Sequence, residues 1–174
     1  MEIITERLRL KPFDIDLIDA ALAGDTKKIC SYGYIANEEW PEPDLIEALP
    51  IFKDLIIKNG VNGFNSWIIT DKATNDIIGS LGFIGNPDEN GNIEIGFGVI
   101  PSKRRLGYCV ESVEALIKWA FEHDCINRIV AQCDCTNFPS KKILEKIGFA
   151  MISENEGLIN WVLKKTTQKT PSST

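Results

Sequence analysis

Histidine is nearly absent from this sequence: His123 is the only one in 174 residues. A cluster of imidazole ligands is thereby excluded, and Cys30, Cys109, Cys125, Cys133 and Cys135 do not replace it. Zinc sites favour a C-x-x-C pair joined by a second pair. The nearest approach here is the C-x-C of Cys133 and Cys135, whose thiols share one face of a strand-like run. Their odd number, without a secretion signal, predicts reduced, buried side chains. No metal is expected. Also missing is an apolar run of bilayer-spanning length, so no membrane partner is expected. The opening residues, MEIITERLRLKPF, alternate charge and apolarity at once, unlike the continuous apolar stretch of a secretory leader. A cytoplasmic location follows as the expectation. Basic residues are in deficit, 19 Lys and Arg against 25 Asp and Glu, for a formal net charge of −6. That excludes the broad cationic surface a nucleic-acid partner requires and suits a cationic or amine ligand.

What is present is ordinary globular composition, 44% hydrophobic and 25% charged. The length matches one domain with a core that needs no disulfide. We expect that domain to span residues 1–165. The polar tail 166–174, TTQKTPSST, has the composition of a disordered segment.

Leu8 and Leu10 alternate with Arg7, Arg9 and Lys11, which predicts a strand. Asp14 is placed to cap a helix running to about Leu22 and closing near Gly24. Residues 30–44, CSYGYIANEEWPEPD, predict an irregular loop. Leu45, Leu49, Phe52 and Leu55/Ile56 predict an amphipathic helix over about 44–58. Three strands follow, NSWIITD, DIIGSLGFIG and NIEIGFGVI, joined by KATN and NPDENGN, and such short connections imply antiparallel neighbours. A helix from about Gly107 sets Val110, Val113 and Ile117 on one face. RIVAQCD predicts a strand. NFPSKKILEKIG predicts a short helix, with Pro139 in its first turn and Gly148 just past its end. FAMISE and LINWVLKK predict a closing hairpin. The order is β-α-α-β-β-β-α-β-α-β-β. The fold class is α+β: a mixed, mostly antiparallel central sheet with helices on both faces.

One segment carries chemistry most directly: RRLGYC, Arg104 to Cys109, which runs straight into a helix. A helix N-terminus offers unpaired N–H groups and a partial positive charge, and a glycine there admits a ligand close to the backbone. Together these suit a pyrophosphate. The Gly-Lys-Ser/Thr of a P-loop is missing, and Gly96-Phe97-Gly98 lies inside a strand without the third glycine of a dinucleotide fingerprint. Glycine within a strand marks a bulge or a close backbone approach.

With these motifs in order, the chain resembles the GNAT superfamily of acetyl-CoA-dependent N-acetyltransferases. The family signature, Gln/Arg-x-x-Gly-x-Gly/Ala, is matched by Arg104, Arg105, Leu106, Gly107, Tyr108 and Cys109, with cysteine in place of the last small residue. NFPSKKILEKIGF resembles the family's second cofactor segment, and TERLRLKPF resembles the subgroup of ribosomal-protein alanine acetyltransferases. The resemblance spans nearly the whole chain to about residue 165 and implies the GNAT-like acyl-CoA N-acyltransferase fold. It further implies that the strand NIEIGFGVI splays from its neighbour to admit pantetheine, that Phe97, Gly98 and Val99 pair with it through their backbone, that Asn137 hydrogen-bonds the same arm, and that the Val99 N–H is the oxyanion donor.

Acetyl transfer needs a neutral amine, a donor to the oxyanion and a proton for the departing thiolate. By strand parity Glu94 shares a face with Gly96, which makes it a candidate base and acceptor-binding residue or a solvated strand carboxylate. Asp134 is a second carboxylate with a turn-capping alternative. The family's tyrosine, seven positions after the asparagine, is Leu144 here and donates nothing. Ser140 is the substitute acid implied by the subgroup, and it also stands among the cofactor-binding candidates. Tyr108 is expected to pack by the pyrophosphate, and His123 has no catalytic role. Tyr34 and Trp40, with Tyr32, are candidate walls of the acceptor site, and Glu38, Glu39 and Glu42 are candidate attractors of a cation; the alternative is a solvated loop with a Trp anchor. Two functions compete. One is an N-acetyltransferase acting directly on a protein N-terminus or small amine in a ternary complex. The other is a non-catalytic acyl-CoA-binding sensor or interaction module. A homodimer through an edge strand or the C-terminal hairpin is compatible with either.

Overall fold

The computed structural model describes residues 1–166. The expected tail therefore lies, apart from Thr166, outside the described residues. The strands are β1 (Ile3–Ile4), β2 (Leu8–Pro12), β3 (Ser66–Asp71), β4 (Ile77–Phe83), β5 (Asn92–Val99), β6 (Arg128–Asp134), β7 (Ala150–Asn155) and β8 (Leu158–Lys164). The helices are α1 (Ile15–Leu22), α2 (Thr26–Ser31), α3 (Pro43–Asn59), α4 (Tyr108–Phe121) and α5 (Phe138–Ile147). All eight strands form one sheet in the order β1-β2-β3-β4-β5-β6-β8-β7. Every neighbouring pair is antiparallel except β5 with β6. The mixed, mostly antiparallel sheet is the expected one.

Local chemistry sets the ends. Asp14 accepts the Leu17 N–H at 2.8 Å and starts α1. Asn137 accepts the Ser140 N–H at 3.2 Å and starts α5, which Gly148 closes in the left-handed conformation at φ 102°. β4 is buried along its whole length, as a central strand covered on both faces must be. One core packs Val113, Leu116 and Ala120 of α4 and Leu144 of α5 against Trp67, Leu81 and Ile95. The other packs Leu17 and Ile18 of α1, Ile29 of α2 and Leu49 of α3 against Ile68, Ile77 and Ile100. Helices thus cover both faces.

Two elements depart from the sequence reading. The N-terminal segment is a hairpin, β1 on β2, rather than one strand. Residues 26–31 form α2, capped by Asp25 through the Lys28 N–H at 3.0 Å. Six residues are too few for helical periodicity to show.

The consequential feature is where β5 and β6 part. They pair at Asn92–Arg128, Ile93–Ile129 and Glu94–Val130, and no further. Beyond Glu94, β5 remains bonded to β4 as far as Val99, while β6 remains bonded to β8 as far as Asp134. The sheet therefore opens as a V with its apex at Glu94.

Candidate functional site

The direction of the free main-chain groups in the V follows from the ladder. Ile84 N–H bonds the Glu94 carbonyl at 3.1 Å, and Ile100 N–H bonds the Ile78 carbonyl at 3.0 Å. In an antiparallel pair these groups alternate in direction. Even-numbered residues of β5 thus face β4, and the N–H and C=O of Phe97 and Val99 face the opening. Gly98 differs from the expectation of a backbone contact there: its amide and carbonyl point to β4. What it contributes is a missing side chain on the α3 side, where a Cβ would lie 3.4 Å from Glu42 Oε1.

A cleft of about 1080 Å³ runs through the opening. Its walls bring together Phe97, Gly98, Val99, Arg104, Arg105, Gly107, Tyr108, Cys109, Asn137 and Ser140 of the expected set. Leu106 is half exposed beside them, and its carbonyl accepts a bond from Arg7 Nη1 at 2.8 Å. The chain is acidic, yet five cations line this cleft: Lys103, Arg104, Arg105, Lys142 and Lys146. Glu42 and Asp44 stand on the α3 wall. Both signs of charge meet in it, and Arg104 acts on Glu42 directly.

The loop into α4 is built to present N–H groups. Arg105 at φ 62° and Gly107 at φ 83° are both left-handed, a conformation rare for an arginine. The first helical donor with a partner at this end is Glu111, to the Gly107 carbonyl at 3.1 Å. The N–H groups before it are those a helix start leaves for a ligand. The Arg104 side chain folds back, its Nε donating to the Val99 carbonyl at 2.9 Å. Cys109 is half-buried, and burial pushes its thiol up to about 12. It is therefore a neutral packing group near pH 7 and no nucleophile. Asn137 uses Oδ1 to cap α5, which leaves Nδ2 as its donor. Leu144 is 1% exposed in the core, so the family's tyrosine position does not open on the cleft.

Arg7, read from sequence only as the polar side of a strand, holds this loop in place. Its Nε donates to Glu111 Oε2 at 2.7 Å, its Nη2 lies 2.7 Å from the same oxygen, and its guanidinium covers the Tyr108 ring at 4.5 Å. Thr5 Oγ and the Arg7 N–H donate to Glu111 Oε1 at 2.6 and 2.9 Å. Burial raises the Glu111 pKa, but the Thr5 and Arg7 hydrogen bonds outweigh it and the net shift is downward. A depressed carboxyl stabilises the fold above its unfolded pKa and loses that contribution as pH falls through the folded value. Arg7→Ala is expected to weaken binding of a phosphate-bearing ligand at the loop by about 10-fold through loss of charge-assisted bonds around it. Calorimetric titration checks this, and unchanged affinity would show that the loop holds its shape alone. Because the pair is substantially exposed, global stability is expected to fall by only about 1 kcal/mol.

The remaining candidates lie elsewhere. Glu94 is half-buried at the apex, roughly 13 Å along the strand from Gly98 at ~3.3 Å per residue, and is not among the lining residues. Trp40, expected on the acceptor wall, is 4% exposed and stacks on Phe13 at 6.4 Å. This corrects the wall reading: a large aromatic in an otherwise polar loop is its anchor. Tyr34 lines a separate pocket of about 410 Å³ with Lys11, Asp14, Leu17 and Tyr32. Burial, followed by Asp14 and Glu2, raises its pKa and keeps it protonated. Asp134 caps a turn through the Thr136 N–H at 2.8 Å, and His123 packs on Trp119 with ring centroids 4.5 Å apart. Among the described residues no group of three or more His, Cys, Asp and Glu is arranged to hold a metal ion, and no helix is long and apolar enough to cross a membrane. Glu42 lines the cleft, whereas Glu39 Oε2 accepts the Ser102 N–H at 3.1 Å and Glu38 is exposed.

Comparison with known proteins agrees with this geometry. The family model described as "Acetyltransferase (GNAT) domain" matches residues 7–150. A Bacillus subtilis (strain 168) protein named as the uncharacterized N-acetyltransferase YjdG is 46% identical over 159 residues, covering 91% of this chain and 95% of the relative. Among solved structures, the ribosomal-protein-S5-alanine acetyltransferase from Vibrio fischeri superposes with a TM-score of 0.70 at 16% identity, covering 98% of this chain and 100% of that one. RimL, a ribosomal L7/L12 α-N-protein acetyltransferase in complex with coenzyme A, gives 0.69 at 18% identity, covering 94% and 98%. The sheet that opens past Glu94, the loop that enters α4 at Gly107 and the match over residues 7–150 converge on one assignment: this chain belongs to the GNAT family of acetyltransferases.

Proposed function

We propose that the protein transfers the acetyl group of acetyl-CoA directly to a primary amine, a protein N-terminus or a small amine, with both substrates bound at once. The observation that carries this reading is the opened sheet: the cleft joins the loop at the start of α4 to the wall that bears Glu42, through main-chain groups that β6 leaves without a strand partner. The residues fit the cofactor. Phe97 offers the N–H and C=O of a strand edge that β6 leaves unpaired and Val99 its N–H, Arg105 through Val110 offer amides and charge for phosphates, and the missing side chain at Gly96 leaves that point clear within 4 Å.

Acetyl-CoA supplies the activated acetyl group. The Val99 N–H is placed to donate to the carbonyl oxygen as negative charge gathers there. Asn137 Nδ2 orients the pantetheine arm. Ser140, half-buried in the first turn of α5, gives a proton to the departing sulfur. Direct transfer is favoured over a covalent relay because Cys109, the cysteine lining the cleft among the described residues, is held as a thiol by burial. Ser140→Ala is expected to lower kcat by about 10- to 100-fold and to change acetyl-CoA affinity by less than about 3-fold. Thiol release over a panel of peptides and amines measures the first, and calorimetry measures the second. CoA binding without turnover on any acceptor would favour the non-catalytic binding module instead. The fold neighbours that acetylate ribosomal proteins make N-terminal peptides the first acceptors to try.

A further inference from the structure

We infer that Glu42 is the catalytic residue that receives the acceptor amine: its carboxylate binds the ammonium group in the cleft and takes the proton that frees the nitrogen to attack. This rests on the acetyl-transfer reading above and identifies where its second substrate enters.

Glu42 is the residue before α3, with extended backbone at φ −66° and ψ 155°, and its side chain makes no capping bond to the helix. The carboxylate turns into the cleft instead. Oε1 reaches the face of Gly98, and Oε2 is buried with no hydrogen-bond partner among the described residues. An unpaired buried oxygen is costly and calls for a ligand. Gly98 precedes Val99, whose N–H faces the opening, so Glu42 overhangs the place where a nucleophile must meet the acyl carbon. The loop behind it is fixed: Trp40, two residues earlier, is locked against Phe13.

The surroundings tune the group. Burial raises the Glu42 pKa; its own backbone and Arg104 lower it, Asp44 and Glu39 raise it, and the net shift is upward. Lys103 also lines the cleft, its Nζ 3.9 Å from Asp76 Oδ2. A base with a raised pKa is better matched to accepting a proton near neutral pH. The step balances. The ammonium gives one proton to Glu42, the nitrogen lone pair forms the N–C bond, and the C–S bond breaks with its electrons going to sulfur. Sulfur is protonated through Ser140, the nitrogen sheds its second proton to restore Ser140, and Glu42 returns its own to water.

The test uses Glu42→Gln, which keeps the shape and removes the base. With the probe Ala-Ala-Ala-amide, kcat/KM for the peptide is expected to fall by about 100-fold at pH 7, with acetyl-CoA affinity within about 3-fold of the parent. The deficit should shrink toward higher pH, where solvent deprotonates the amine. The lower limb of the parent's pH profile should vanish in the variant. A second measurement needs no turnover. In CoA-saturated protein carrying 13Cδ-glutamate, the signal lost in Glu42→Gln is followed while n-propylammonium is added, and it is expected to shift with saturation. A parent and variant that acetylate equally overturn the role of Glu42 and leave acetyl transfer standing. A parent that releases no thiol on any amine overturns acetyl transfer, and an unmoved Glu42 signal then overturns the amine site as well.

Discussion

Gly107→Val is expected to reduce acetyl-CoA affinity by at least about 100-fold. Gly107 sits at φ 83°, where a β-branched side chain costs on the order of 1–3 kcal/mol. Its Cβ would also lie 3.3 Å from Arg7 Nη2, which is already paired with Glu111, while Nη1 of the same guanidinium holds the Leu106 carbonyl. The loop relieves the strain only by rotating away from the left-handed region. That turns its N–H groups from the ligand and disturbs the first turn of α4. Two lost hydrogen bonds to a charged group, at about 1.5–3 kcal/mol each, account for the fall. The loop is exposed, so the core beneath should hold and the thermal transition should remain cooperative. Calorimetric titration with CoA and acetyl-CoA measures the effect. Binding within 3-fold of the parent, in a folded variant, would remove the helix-start cradle from the site.

The fold was legible where short-range patterns govern it. Leu45, Leu49 and Ile56 marked α3 to within a residue at each end, because its buried stripe repeats at helical spacing. NSWIITD, DIIGSLGFIG and NIEIGFGVI became β3, β4 and β5 because turn residues separate them. The RRLGYC loop was legible because its glycine and helix start are adjacent in sequence. The opening of β5 came from the family resemblance, with Gly96 and Gly98 in support, and not from periodicity. It depends on a pairing between segments separated by all of α4, which ends at Glu94–Val130. Site residues divide along the same line. Glu38, Glu39 and Glu42 are equivalent in sequence, and only the third is carried into the cleft by the Trp40 anchor. Arg7 looked like the outer face of a strand because its partner Glu111 is 104 residues away.

Gly98→Leu is expected to separate the two halves of the cleft. Unlike Gly107, Gly98 does not lie in the left-handed region, so a side chain there adds no backbone strain. A Cβ meets only Glu42 Oε1, at 3.4 Å, and the rest of a leucine must extend across the space between β5 and the α3 wall. The groups assigned to the cofactor are untouched, because Phe97 and Val99 present their amides to the other side and the phosphate loop lies at α4. CoA affinity should therefore stay within about 3-fold of the parent. Displacing the amine by even about 1 Å from the acyl carbon costs on the order of 100-fold in rate, so amine-dependent thiol release should fall by at least that factor. If Gly98→Leu acetylates peptides normally, the acceptor does not cross this face of β5. If it loses CoA along with turnover, the cofactor and the amine share the space assigned here to the amine alone.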